Sequence, residues 1–200
     1  MNFLAHIYLS SDNELITIGN FVADGIRGKK YEQYPEEIQV GILLHRAIDT
    51  FTDAHPVFRR STKRLHDPYG HYSGVIVDIF YDHFLAKNWS VYSKIPLDSY
   101  VKNFYHSLER HFEILPPKFK HLTPLMIEDN WLLSYAEIDG IQSVLNGMNR
   151  RTYGRSKMNL ATKELKLFYS EFEKDFTEFF NELILYNNQK LKTLTKKFNL

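Results

Sequence analysis

The sequence predicts one all-α domain, a single helical bundle, on three observations. Apolar residues recur mostly three and four apart, the spacing that lines one face of a helix, while clean alternation over a strand's length is scarce. Two hundred residues with 44% hydrophobic content suffice to bury one core and a pocket. No repeat, low-complexity run or long linker divides the chain, so residues 1–200 read as one unit.

The elements follow from turn signals. A first helix near 13–25 ends ahead of Gly28, and Pro35 opens a second over 35–54. A third covers 56–65 and stops before Asp67-Pro68; a fourth covers 71–88, ahead of Pro96. Helices over 97–114, 121–135 and 137–147 lie around Pro116-Pro117. The C-terminal third is the clearest: Leu165, Phe168, Phe172, Phe176, Phe179, Phe180 and Leu183 trace one apolar face, and Glu171, Asp175, Glu178 and Glu182 fall toward the other. The lysine-rich tail, 188–200, is expected to fray. The aromatic residues, 15% of the chain, sit mostly at helical spacing and are expected in the core.

Composition narrows the function. With 25 basic and 24 acidic residues the net charge is +1, so no global field favours nucleic acid or membrane. The absence of cysteine excludes disulfides, thiolate metal sites and cysteine nucleophiles, and is compatible with a reducing cytoplasm. The N-terminus lacks a basic leader and no run of about 18 apolar residues occurs, so a soluble cytoplasmic protein is expected.

Histidine and aspartate concentrate in four apolar frames: NFLAH, GNFVADGIRG, HRAIDTFTDAHP and DIFYDHF. His45, Asp49 and Asp53 fall four apart and share a helical stripe roughly 80° wide, which suits either a metal or a wet surface. Asp78 and Asp82 repeat the step among Val75, Ile76, Val77, Ile79 and Phe80. Inward carboxylates need a cation, and His45 with a divalent ion would answer that need. Imidazole and carboxylate donors without thiolate suit Mn²⁺, Fe²⁺, Mg²⁺ or Zn²⁺, with hardness leaning to the first three. Asp24 offers a carboxylate to metal or water, and Arg27 a guanidinium to phosphate. Arg46 suits either phosphate or an ion pair with Asp49 or Asp53. His83 suits orienting a ligand, and His6 reads first as a hydrogen-bonded core residue. His55, His66, His71, His106, His111 and His121 lack carboxylates at ligand spacing.

Together with WLLSYAEIDGIQSVLNGM and Arg150-Arg151, these stretches resemble the acyl carrier protein phosphodiesterase family from Met1 to about Arg151; beyond that the likeness is only helical character. The resemblance implies an HD-domain-like fold and a metal-dependent hydrolase, Mn²⁺ favoured, that removes 4′-phosphopantetheine from holo acyl carrier protein. Its implied ligands are Asp24, His45, Asp49, Asp78 and Asp82, with Asp24, His45, Asp78 and Arg46 in the chemistry and His6, Arg27 and His83 around it. The chain departs from common HD enzymes in that its doublet reads Asp82-His83, reversed, and its one His-Asp doublet, His66-Asp67, sits at a proline turn.

An acidic carrier calls for a local basic surface. Arg59, Arg60, Lys63 and Arg64 are the first candidate, and Arg150, Arg151, Arg155 and Lys157 the second. Two rival readings are an HD-type nucleotide phosphohydrolase and a non-enzymatic helical module whose His and Asp residues form buried ion pairs.

Overall fold

The computed structural model describes residues 1–10 and 12–200, and among them it contains helices and no strand. In chain order the α-helices are α1 (Phe3–Tyr8), α2 (Glu14–Val22), α3 (Glu36–Ala54), α4 (Pro56–Lys63), the single-turn α5 (His66–Tyr69), α6 (Ser73–Lys87), the short α7 (Trp89–Tyr92), α8 (Leu97–Arg110), α9 (Pro117–Glu128), α10 (Trp131–Ser134), α11 (Ile138–Arg151), α12 (Thr162–Leu167) and α13 (Tyr169–Lys197). No helix among the described residues is long and apolar enough to cross a membrane.

α2 starts at Asn13, whose side-chain oxygen accepts the Leu15 and Ile16 amides at 3.0 and 3.1 Å. α3 starts after Pro35 with Glu36 and Glu37 in its first turn, where negative charge suits the helix dipole. It ends at His55, because Pro56 disfavours helical backbone in the residue before it. These two helices pack backbone to backbone. A Cβ on Gly19 would lie 2.3 Å from the Ile38 carbonyl oxygen, and one on Gly41 would lie 2.1 Å from that of Ile16. Only glycine fits either position, and the contact brings the end of α2 against the middle of α3.

α6 runs through the centre, packed against α1, α4, α11 and α13. It is therefore apolar on nearly every side, with Ile76, Val77, Ile79, Phe80, Phe84 and Leu85 buried. α13 lays Phe172, Phe176, Phe179, Phe180 and Leu183 across α3, α4 and α6.

The structure departs from the sequence reading at several points. The hexapeptide α1 had no counterpart in it, because six residues carry too little period to read. The helix expected over 121–135 is broken at Asn130, which adopts left-handed backbone with φ 47° and separates α9 from α10. α13 continues to Lys197 through the stretch expected to fray, with Leu194 buried. Asp175, expected on the solvent face of that helix, is 2% exposed.

Candidate metal centre

Three helices meet at one point. α1 supplies His6, α3 supplies His45 and Asp49, and the turn after α2 supplies Asp24. The two imidazoles stack with centroids 3.9 Å apart and planes 17° from parallel. Their Nε2 atoms both face Asp49: His6 Nε2 is 3.3 Å from Oδ1 and His45 Nε2 is 3.1 Å from Oδ2. Ligand atoms from His6, His45 and Asp49 all lie within 4.8 Å of one another, close enough to share one ion. Asp24 Oδ1 stands 3.4 Å from His45 Nε2 and faces solvent. The Met1 amine lies 3.0 Å from Asp78 Oδ1 and 3.6 Å from Asp49 Oδ1, which joins Asp78 to the group.

Each ring is held from behind. His6 Nδ1 is 2.9 Å from Asn20 Oδ1, and His45 Nδ1 is 2.8 Å from the main-chain oxygen of Asn20. His45 Nε2 is buried and within ion-pair reach of two carboxylates, yet makes no hydrogen bond of proper geometry. His6 Nε2 faces the Met1 carbonyl oxygen at 3.1 Å. An orphaned nitrogen and a ring of acceptors are what a cation would complete, so the residues present fit a divalent ion.

Electrostatics point the same way. Burial pushes His6 down to about 4, and the neighbouring His45 adds to the effect. Burial also opposes charge on His45, but Asp24 and Asp49 outweigh it and raise it to about 9. Burial acts to raise Asp49, yet proximity to His45 and His6 holds it well below the carboxylate range. His45 likewise holds Asp24 low. Burial raises Asp78 to about 6 although the Met1 amine draws it down. Burial opposes charge on the Met1 amine, but Asp78 and Asp49 outweigh it and raise it to about 10, so the carboxylates already face two cations, this amine and His45; a divalent ion would take the place of the His45 proton.

Not every expected residue comes to this point. Asp82, expected among the ligands, instead accepts the Leu4 and Ala5 amides at 2.7 and 3.2 Å. Those are N–H groups at the start of α1, left open because Asn2 provides no side-chain cap. Burial raises Asp82 to about 7 against the pull of these amides. His83 is also elsewhere: its Nδ1 meets the Tyr135 carbonyl at 2.8 Å and its Nε2 the Tyr169 hydroxyl at 2.9 Å, tying α6 to its neighbours. Arg46 reaches no carboxylate among the described residues; it donates to the Ile26 and Gly28 carbonyls at 3.0 and 2.8 Å and so pins the segment beyond Asp24. Arg27 is exposed on that segment, and Asp53 is exposed off the cluster. His6 moves inward, from the surroundings to a central position. His55, unpartnered in the sequence reading, caps α4 through Nδ1 and lies 3.2 Å from Glu182.

The first basic cluster is largely neutralised. Buried Asp175 accepts from Arg60 Nη2 at 2.6 Å, Ser61 Oγ at 2.8 Å and Arg64 Nη1 at 2.5 Å, and Arg60 also meets Glu178. Arg59 and Lys63 remain exposed. Arg150, Arg151, Arg155 and Lys157 are all exposed and form no ion pair among the described residues. Asn20, which sequence reasoning passed over, carried one signal: an amide in an apolar frame beside Gly19, at a position now fully buried.

Comparison with known proteins covers the stretches that carry these residues. The family profile described as acyl carrier protein phosphodiesterase matches residues 1–183, extending past Arg151 into α13. A protein of that name from Photorhabdus laumondii is 32% identical over 181 residues, spanning 90% of this chain and 91% of its own length. One from Escherichia coli O157:H7 is 32% identical over 194 residues, spanning 95% of this chain and 99% of its own. One from Pectobacterium atrosepticum is 29% identical over 185 residues, spanning 92% and 96%. No solved structure matches the chain. On these matches, the chain belongs to the acyl carrier protein phosphodiesterase family.

Proposed function

We propose that this protein hydrolyses the phosphodiester joining 4′-phosphopantetheine to a serine of holo acyl carrier protein. Water adds to phosphorus, the bond to the serine oxygen breaks, and apo carrier and 4′-phosphopantetheine leave. The observation that carries the reading is the convergence of His6, His45 and Asp49 on one point in a chain of this family.

The reading takes a divalent ion as cofactor. Imidazole and carboxylate donors suit Mn²⁺ best, with Mg²⁺ or Fe²⁺ as alternatives. Such an ion supplies Lewis acidity to a phosphoryl oxygen and lowers the pKa of water. His6, His45 and Asp49 would hold it. Asp24, ionised and open to solvent, is the carboxylate placed to accept the proton of the incoming water. Asp78 stands behind Asp49 and adds negative charge that favours the cation. Arg46 sets the position of Asp24 through the carbonyls it binds, and Arg27 on the same segment is the exposed guanidinium a substrate phosphate would meet.

The carrier is an acidic protein, and a cytoplasmic setting suits both partners. Because Asp175 and Glu178 occupy Arg60 and Arg64, docking falls to Arg59 and Lys63 together with the second cluster at Arg150, Arg151, Arg155 and Lys157. The test weighs holo carrier by intact mass spectrometry after incubation with the protein and Mn²⁺, beside a His45→Ala control. Loss of the phosphopantetheine mass with the wild type alone is expected. An unchanged carrier under several metals would refute the reading and favour a nucleotide substrate.

A further inference from the structure

The two histidines come from different helices, 39 positions apart in sequence, yet both rest on one residue. Asn20 sits near the end of α2, which stops at Val22. Its main-chain carbonyl is among the last four of that helix and so lacks a partner within it. His45 Nδ1 occupies that vacancy at 2.8 Å, and since a carbonyl only accepts, Nδ1 must carry the proton. The neutral His45 ring then has its lone pair on Nε2, the atom that makes no hydrogen bond and faces Asp24 and Asp49.

The side chain of Asn20 imposes the same choice on His6. Its orientation is fixed independently: Nδ2 donates to the His6 carbonyl at 2.8 Å and to Ser10 Oγ at 3.0 Å, so the other terminus is the oxygen. That oxygen lies 2.9 Å from His6 Nδ1, while the Met1 carbonyl oxygen lies 3.1 Å from Nε2; a neutral ring has one proton for the two acceptors, and the shorter contact assigns it to Nδ1. The lone pair of a neutral His6 is then left on Nε2, facing the Met1 carbonyl oxygen at 3.1 Å and Asp49 Oδ1 at 3.3 Å, a set of acceptors that a cation between them would reconcile. Asn20 is completely buried, so no water competes for either bond.

We propose that Asn20 is the positioning residue of the centre: its Oδ1 fixes His6 and its main-chain oxygen fixes His45, so both rings present Nε2 lone pairs to one divalent ion. The assignment deepens the proposed metal centre and rests on it for its purpose, but the ring tautomers it demands exist without any ion. The helix crossing serves the same end. A Cβ at Gly41 would lie 2.6 Å from the Asn20 amide nitrogen, so the glycine is what allows α3 to bring His45 to that carbonyl. Partners of this kind behind metal-bound histidines are worth about 10–100-fold in metal affinity.

The experiment is ¹⁵N NMR of the histidine side chains in metal-stripped protein, at a pH alkaline enough for both rings to be neutral, followed by Mn²⁺ titration read by the EPR signal of free ion. In the wild type both His6 and His45 should show the Nδ1–H form. Asn20→Leu should release His6 toward the Nε2–H form, leave His45 at Nδ1–H because the main-chain oxygen remains, and weaken Mn²⁺ binding about 10–100-fold. Asn20→Asp keeps an acceptor and should keep His6 at Nδ1–H, an outcome that a role in packing alone does not produce. If Asn20→Leu does not fold, the wild type and Asn20→Asp decide: His6 found as Nε2–H in either would overturn the assignment. An unchanged His6 in a folded Asn20→Leu would overturn it too. Wild-type protein that binds no Mn²⁺, with both tautomers as expected, would instead overturn the proposed metal centre and leave Asn20's hold on the rings intact.

Discussion

Gly41→Ala tests whether the helix crossing builds the centre. The added Cβ would start 2.1 Å from the Ile16 carbonyl oxygen, where ordinary contact begins near 3.4 Å, so α2 and α3 must part by more than 1 Å. That movement carries the 2.8 Å bond between His45 Nδ1 and the Asn20 carbonyl beyond hydrogen-bonding reach. Overpacking costs about 1–3 kcal/mol and the lost bond about 1 kcal/mol more, roughly 2–4 kcal/mol in all. For a chain of this size each kcal/mol lowers Tm by about 2–4 °C, so a fall of roughly 5–15 °C is expected. Thermal unfolding of the metal-free protein reads that fall, and Mn²⁺ titration of the same sample should show weakened binding. A Gly41→Ala protein with wild-type Tm and wild-type affinity would refute the claim that this contact sets the histidine.

Removing the ring itself by His45→Ala should weaken Mn²⁺ binding by more than about 100-fold and cut carrier hydrolysis in parallel, as metal titration and intact-mass assays would show. Asp175→Asn should lower stability by about 3 kcal/mol in urea unfolding while turnover at low temperature persists, since Arg60 and Arg64 lose a buried partner on α13, outside the elements that carry His6, His45 and Asp49. Although burial opposes it, the two arginines and Ser61 hold the folded Asp175 carboxyl below its ordinary 3.8. Its stabilisation is therefore complete above that value and lost as pH falls through the lower folded one, so the gap to Asp175→Asn should narrow below about pH 4. Reversing Arg150, Arg151 and Arg155 to Glu should raise KM for holo carrier severalfold at low salt and leave hydrolysis of a small phosphodiester unchanged; equal loss on both substrates would contradict docking at that surface.

Helical period made most of the fold legible, because helices such as α3 and α13 are long enough to display a face. The four-residue step from His45 to Asp49 was legible for the same reason, since neighbours on one helix need no knowledge of its partners. What depended on contacts between distant segments was not. Asp82 reads as a ligand by spacing, yet it caps α1, an element 77 and 78 positions away. Arg60 and Arg64 read as free charges because Asp175 lies 115 and 111 positions along the chain. Asn20 carried only the weak signal of an amide in an apolar frame, since its two acceptors matter only once Gly19 and Gly41 let the helices close. His6 reads in sequence as a hydrogen-bonded core residue, which it is, and its stacking on His45 appears only in the fold because the two rings come from different helices.

The proposal that His6, His45 and Asp49 hold a divalent ion can be read directly in a crystal. An anomalous-difference map from crystals grown with Mn²⁺, collected at the manganese edge, tests it most directly. A peak in contact with both Nε2 atoms and an Asp49 oxygen is expected; manganese bound elsewhere, or no peak between these three side chains, would refute the assignment.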